Sequence, residues 1–228
     1  MNEVLNEAGQ RGITRLCHFT KAVSLAHILA SGTLRDVEYL RDSPDGYRPT
    51  DERRLDGHLG HISFSLEYPN SWYFREARKR DEQFTEWVVL TADPVLLATP
   101  GTRFCPHNAA RHSGSGIQDG LGAFEAMFAE RVGQRVREPH HPAWWPTDDQ
   151  AEVLVPGPIP ITAVRSVILQ SDEQAALENF RLRELGLREH PPFVIAPDLF
   201  EADKLSSQLR KGSRPLELAH GDLHRPDA

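Results

Sequence analysis

Four polar groupings hold the reactive side chains of this chain: His18 at the end of an apolar stretch, the pair Arg53 and Arg54 in a charged segment, the run Ser63-Phe64-Ser65, and Gln150 with Glu152 just ahead of Val153-Leu154-Val155. If that last run is a strand, its period of two sets Gln150 and Glu152 on one face, where they can grip one ligand together. A carboxylate at a strand entrance can equally make a surface ion pair, and the residue types alone leave both readings open. Metal chemistry is not expected. Cys105, His107 and His112, or His140 and His141, would be the ligands, and their spacings fit no closed tetrahedral site. Cys17 and His18 are neighbours on an expected strand and point to opposite faces, so they cannot serve each other as nucleophile and base. The glycine-rich HSGSGIQDGLG (residues 112–122) lacks the Gly-Lys-Ser/Thr ending of a phosphate loop and reads as a flexible connection.

These groups need elements to position them. ITRLCHFT (13–20) reads as a short strand, followed by a helix with Ala22, Leu25, Ala26, Ile28 and Leu29 at helical spacing, Thr20 as N-cap and Gly32 as the stop. Residues 35–60 are polar and broken by turn residues, which predicts a long loop with one helical turn. HISFSLEY alternates as a half-buried strand, EWVVLTA is a second, and DPVLLA opens with an Asp-Pro helix start. GAFEAMFAERV carries Phe124, Met127 and Phe128, with Leu121 before it, as a core stripe. QAEVLV and VRSVIL are expected to pair with each other across PGPIPITA; DEQAALENFRLREL is an amphipathic helix and the remainder a mixed tail. Strands and helices do not alternate regularly, so the expected class is α+β.

Composition narrows the function. The chain has 228 residues, 39% of them hydrophobic, and a net charge of −7, which argues against a protein that coats duplex DNA by charge alone. Local basic patches remain, at Arg35, Arg41, Arg48, Arg53 and Arg54 and again in REARKR (75–80); each also reads as a solvated face. Only the last dozen residues look disordered by composition. Two cysteines make no disulfide framework, and neither a signal-like N-terminus nor a membrane-length apolar run is seen, so a cytoplasmic protein without membrane association is expected.

Taken in order, LCHFTKAVSLAHILASGTL, DERRLDGHLGHISFSLEYPNSWYF, FCPHNAA and QAEVLVPGPIPITAVRSVIL resemble the DarT-type DNA ADP-ribosyltransferase toxins, over residues 13 to about 170. The resemblance implies a split-sheet ADP-ribosyltransferase fold in a single domain spanning 1–228, with its core at 13–170 and a C-terminal helix and tail at 171–228. It implies NAD as co-substrate, no metal, and transfer of ADP-ribose to a base in single-stranded DNA. Position by position it makes Glu152 the catalytic carboxylate and Arg54 the essential arginine, with Arg53 as the alternative register. NAD would then be held by His18, Thr20, Arg53, Ser65, Tyr73, Asn108 and Gln150.

The chemistry suits those residue types. A carboxylate steadies the oxocarbenium-like charge that develops as the bond between nicotinamide and ribose breaks, and an arginine fork pairs with a diphosphate. REPHHPAWWPTDD lies where the superfamily keeps its target-recognition loop, so Trp144 and Trp145 are expected to stack on an unpaired base; packing against the sheet is the competing reading. The family also implies an antitoxin with a macrodomain-type hydrolase. LEYPNSW departs from the family pattern and leaves thymine or guanine open as the target. An enzyme acting on RNA or protein, or an idle module that binds NAD or nucleic acid, are the alternatives.

Overall fold

The computed structural model describes residues 2–42 and 54–221. In chain order the elements are α1 (Glu3–Arg11), β1 (Leu16–Lys21), α2 (Ala22–Ser31), β2 (Thr33–Leu34), α3 (Val37–Arg41), β3 (His61–Leu66), α4 (Ser71–Arg80), β4 (Trp87–Ala92), β5 (Arg103–Cys105), α5 (Gly120–Ala126), β6 (Arg131–Val132), β7 (Arg135–Val136), β8 (Glu152–Pro156), β9 (Ile159–Pro160), β10 (Val164–Leu169), α6 (Asp172–Glu184), β11 (Phe193–Ile195), α7 (Ala202–Arg210) and β12 (Leu218–Ala219). Eight strands form one sheet in the order β12-β11-β10-β4-β1-β3-β8-β5, antiparallel throughout except for β10 with β11. The class is α+β, as the irregular order of elements implies.

Strand β4 is buried along its whole length because both faces of the sheet are covered. Val88, Leu90 and Ala92 meet α2 and α6 residues such as Leu25, Ile28 and Leu182, while Trp87 and Val89 meet Phe74 of α4 and Leu205 and Leu209 of α7. That two-sided burial explains an apolar run where an exposed sheet would alternate. Helix α2 ends as expected at Gly32 in the left-handed region (φ 67°), but β1 runs through Lys21 and no side chain caps α2, so Thr20 belongs to the strand.

Two further expectations are corrected. QAEVLV and VRSVIL do not pair: β8 lies between β3 and β5, whereas β10 lies between β4 and β11 on the other side of the sheet. The prolines that separate them carry the chain across, with β9 pairing to β2 on the way. The mixed tail is ordered sheet and helix as well, for β11 and β12 extend the same sheet and Leu218 and Ala219 lie in the stretch expected to be disordered.

One seam of the sheet matters most. β1 pairs with β3 only at Leu16↔Leu66 and Cys17↔Ser65, while it pairs with β4 along its full length and β3 pairs with β8 from His61 to Phe64. Beyond Cys17 the two strands part, and a crevice opens with His18 on one lip and Ser63 on the other. Ser65 pins the junction, donating its hydroxyl to the Cys17 carbonyl (3.4 Å) and accepting the Asn70 N–H (3.1 Å) at the start of α4.

Candidate active site

The crevice leads into a cavity of about 370 Å³, within the usual range for small-molecule sites. Its walls come from β1 (His18, Thr20), from α2 (Ser24, His27), from α3 and the turn before it, from β3 (Ser63, Ser65), and from Arg54, Asp56, Tyr73 and Glu152. The chain therefore brings together residues more than 130 positions apart around one space.

Glu152 opens β8 and is 8% exposed. Both carboxylate oxygens are held: Oε2 accepts the Ser63 hydroxyl from the neighbouring strand, and Oε1 accepts the Ala109 backbone N–H at 2.9 Å. Burial pushes its pKa above the ordinary carboxylate value, while the two hydrogen bonds and the nearby Arg54 pull the other way and Asp56 adds to the rise. The surface ion-pair reading of this residue does not survive, because the side chain sits in the cavity wall.

His18 projects from β1 just past the seam, and its Nδ1 lies 2.8 Å from the Ser63 carbonyl. A carbonyl only accepts, so Nδ1 carries the proton. Burial pushes the His18 pKa down to about 4, partly offset by that hydrogen bond and reinforced by Arg54. Neutral at pH 7 with Nδ1 protonated, the ring is left with Nε2 as an acceptor for a hydroxyl group.

Arg54 has left-handed backbone (φ 37°), an arrangement costing about 1 kcal/mol for a side-chain-bearing residue. Its side chain is clamped: Nε donates to Asp56 Oδ1 (3.3 Å), Nη2 lies 3.2 Å from Asp56 Oδ2, and Nη2 donates to the His58 carbonyl at 2.7 Å. Asp56 Oδ1 also accepts the His58 N–H at 2.8 Å, so one buried carboxylate shapes the turn and fixes the guanidinium. Gly114 presses on this turn; a Cβ there would fall 2.5 Å from the Asp56 carbonyl oxygen. Arg53, the alternative register, lies outside the described residues.

The remaining candidates divide. Thr20 and Tyr73 line the cavity, Tyr73 with its ring 5.8 Å from that of Phe19. Ser65 also faces it, although its hydroxyl is used by the backbone. Asn108 is not in the lining; its side chain accepts the Ala110 N–H (3.0 Å) and shapes the turn that presents Ala109 to Glu152. Gln150 sits in the turn before β8 rather than on the strand, its N–H bonded to Asp148, and does not line the cavity. The shared-face argument for Gln150 and Glu152 therefore lapses.

Trp145 is 2% exposed, donates its indole N–H to Asp149 (3.0 Å) and packs on Tyr68. Trp144 is half-buried beneath the Arg214 guanidinium, 4.3 Å from its ring. Trp145 belongs to the layer on the α4–α7 side of the sheet, and its expected base-stacking role is corrected to packing; Trp144 packs against both core layers and keeps part of its surface exposed. Among the described residues no cluster of His, Cys, Asp or Glu has the arrangement of a metal site.

Sequence reasoning singled out the Ser-Phe-Ser run but chose Ser65; it is Ser63 that touches Glu152. Asp56 was missed, and its signal is an acid two residues after an arginine in a turn ending at glycine. The Ala109 N–H leaves no trace in residue type.

The family model described as "ssDNA thymidine ADP-ribosyltransferase, DarT" matches residues 17–201. The chain belongs to the DarT family. That membership makes it an ADP-ribosyltransferase acting on single-stranded DNA. Among solved structures, Thermus sp. 2.9 DarT in complex with NAD+ is 16% identical with a TM-score of 0.56, covering 82% of this chain and 97% of that one. The same protein in complex with ADP-ribosylated ssDNA gives a TM-score of 0.55 at 16% identity, covering 83% and 97%. Thermosipho africanus DarTG in complex with ADP-ribose is 14% identical with a TM-score of 0.57, covering 82% of this chain and 51% of that one. At such identities the likeness carries the fold. No curated protein matches the chain.

Proposed function

We propose that Glu152 is the catalytic carboxylate of a transferase that moves ADP-ribose from NAD to a thymidine base in single-stranded DNA. The observation that carries this reading is the wall of the cavity itself: a buried carboxylate held by Ser63 and Ala109, facing the same space as His18 and Arg54. NAD fits the chemistry of that wall and is the ligand in the Thermus relative. It supplies the activated bond between nicotinamide and ribose.

The chain's own groups divide the work. Arg54, preset by Asp56, places its permanent positive charge beside the diphosphate. His18 Nε2 accepts from a ribose hydroxyl, and Tyr73 offers a ring face to the nicotinamide. Glu152, ionised, stabilises the positive charge that builds on the ribose as the bond breaks and takes the proton from the attacking base nitrogen. Thr20 and Ser65 complete the wall, while Asn108 and Gln150 act by shaping the turns on either side of Glu152.

The thymidine target follows the family description. The partner this reading expects is an antitoxin that blocks the enzyme or removes its mark with a macrodomain-type hydrolase, and the likeness to Thermosipho africanus DarTG supports a toxin-antitoxin pair. Among the described residues no helix is long and apolar enough to cross a membrane, and a DNA substrate supports a cytoplasmic enzyme.

The test is intact-mass analysis of a thymidine-containing single-stranded oligonucleotide after incubation with protein and NAD. A gain of one ADP-ribose that disappears with Glu152→Ala supports the assignment; labelling that persists in the variant removes Glu152 from the chemistry, and labelling only of RNA or protein moves the acceptor.

A further inference from the structure

The acceptor base has to approach the ribose beside Glu152, and its flanking phosphates then have to cross one of the rims that border the cavity. The placement of carboxylates distinguishes the approaches to Glu152. At α3 the chain carries three acids, Asp36, Glu38 and Asp42, interleaved with Arg35 and Arg41, and Glu38 reaches far enough that a Cβ on Gly60 would lie 3.1 Å from its Oε2. Next to Glu152, across the β8–β5 strand pair, residues 94–118 contain no aspartate or glutamate at all, in a chain with 33 acidic residues. That acid-free stretch includes Arg103, His107, Arg111 and His112.

The fold lays this stretch against the catalytic carboxylate. β5 is the edge strand beside β8, with Cys105 opposite Glu152 and Arg103 opposite Leu154. The chain then turns over the edge: Ala109 donates to Glu152, Phe104 and Gln118 close the loop, and Gly114 lies on the Arg54–Asp56 turn. Arg111 and His112 are exposed, and Arg103 and His107 partly so. Arg111 is steadied from below by the buried Asp148, 3.5 Å away, which aims it without covering it.

We propose that the acceptor strand runs along the wall formed by residues 101–113, its phosphates met by Arg103, Arg111 and His112. This assignment rests on the base-transfer reading given above. It states where on this chain a polyanion can lie beside Glu152 without opposing a carboxylate, and why an acidic protein can take a nucleic-acid substrate: the cationic path is short and local, and phosphate contacts position the strand while the cavity selects the base.

The experiment compares labelling of a single-stranded oligonucleotide by the wild type, by Arg103→Glu/His112→Glu, and by Arg41→Glu on the α3 rim, across a salt series. NAD affinity and the thermal midpoint are measured in parallel. The double reversal is expected to lower kcat/KM for the oligonucleotide roughly tenfold or more at low salt and to flatten its salt dependence, with NAD affinity unchanged and Arg41→Glu near wild type. Should the double reversal lower the thermal midpoint, Arg103→Gln/His112→Gln replaces it, with a smaller loss in the same direction. Unchanged oligonucleotide kinetics in an active double variant, or a larger loss from Arg41→Glu, overturns the path and leaves the transferase reading standing. A wild type that labels no oligonucleotide overturns both.

Discussion

The chemistry of the site turns on how one carboxylate is held. Glu152 is buried, which favours its neutral form, yet it must be ionised to stabilise cationic charge; Ser63 and Ala109 resolve the conflict by donating to the anion. Because the folded-state pKa is raised, activity is expected to rise with pH through a limb lying above the ordinary carboxylate range. Removing a donor destabilises the anion, so Ser63→Ala should shift that limb further up and cut kcat about 10- to 100-fold, the worth of one charge-assisted hydrogen bond. A pH–rate profile of both proteins checks it, and an unmoved limb would show that the hydroxyl does not tune Glu152. At this scale the sequence was partly legible. A Ser-x-Ser run and a strand-entry carboxylate can be noticed, but which serine meets the acid depends on register, with Ser63 opposite Leu154 and beside Glu152 across the strand pair.

Short turns decide whether those residues converge. The turn at 54–57 shapes Arg54, the turn at 108–111 presents Ala109, and Gly114 wedges one against the other. Gly114→Ala meets two obstacles, a left-handed φ of 84° and a Cβ 2.5 Å from the Asp56 oxygen. The expected outcome is a kcat/KM for NAD reduced at least tenfold together with a thermal midpoint lowered by roughly 2–8 °C; a loss confined to the midpoint would make Gly114 a matter of stability alone.

The tryptophan pair tests the opposite face. Trp145→Ala leaves a cavity and strips a donor from the buried Asp149, which also accepts from Trp72, Ser206 and Arg210. A cost of about 3–5 kcal/mol is expected in chemical denaturation. Trp144→Ala, half-exposed, should cost less. Aromatic pairs in polar loops read alike from sequence whether they cover a core or await a base, because only the neighbours distinguish them.

The whole molecule depends on its C-terminal segment. Glu67 is fully buried, with its carboxylate taking the Thr14 N–H and hydroxyl and the Arg15 N–H, and its remaining oxygen is paired to Arg214 at 2.7 Å. Arg210 and Ser206 do the same for Asp149 at 2.8 and 2.6 Å. A chain ended after Glu201 would keep the matched family region but leave two buried carboxylates short of partners, each loss costing on the order of 3–5 kcal/mol. Such a chain should fail to give a cooperative thermal transition; a cooperative one would show that the segment is dispensable.

The pH dependence of stability has two opposing sources at the site. His18, pushed down to about 4, binds fewer protons folded than unfolded, so stability falls as pH drops from about 6.5 towards 4. Glu152, raised, binds more protons folded than unfolded, so stability falls as pH rises through its folded value. Glu152→Gln should therefore raise the thermal midpoint at pH 7 and lose that advantage on acidification, which calorimetry at both pH values checks.

Local pattern carried a good deal of this protein. The strand and helix of residues 16–31, the stop at Gly32 and the alternating β3 follow from periodicity and turn chemistry, both properties of neighbours along the chain. The order of motifs was also enough to suggest the family. Pairing was another matter: β8 and β10 are close in sequence and far apart in the sheet, and a tail without a strong pattern supplies two strands and the partners of Glu67 and Asp149. Hydrogen bonding between distant segments has no period to read. The parting of β1 from β3 after two rungs, which makes the cavity, exists only once the strands on both sides have taken their partners.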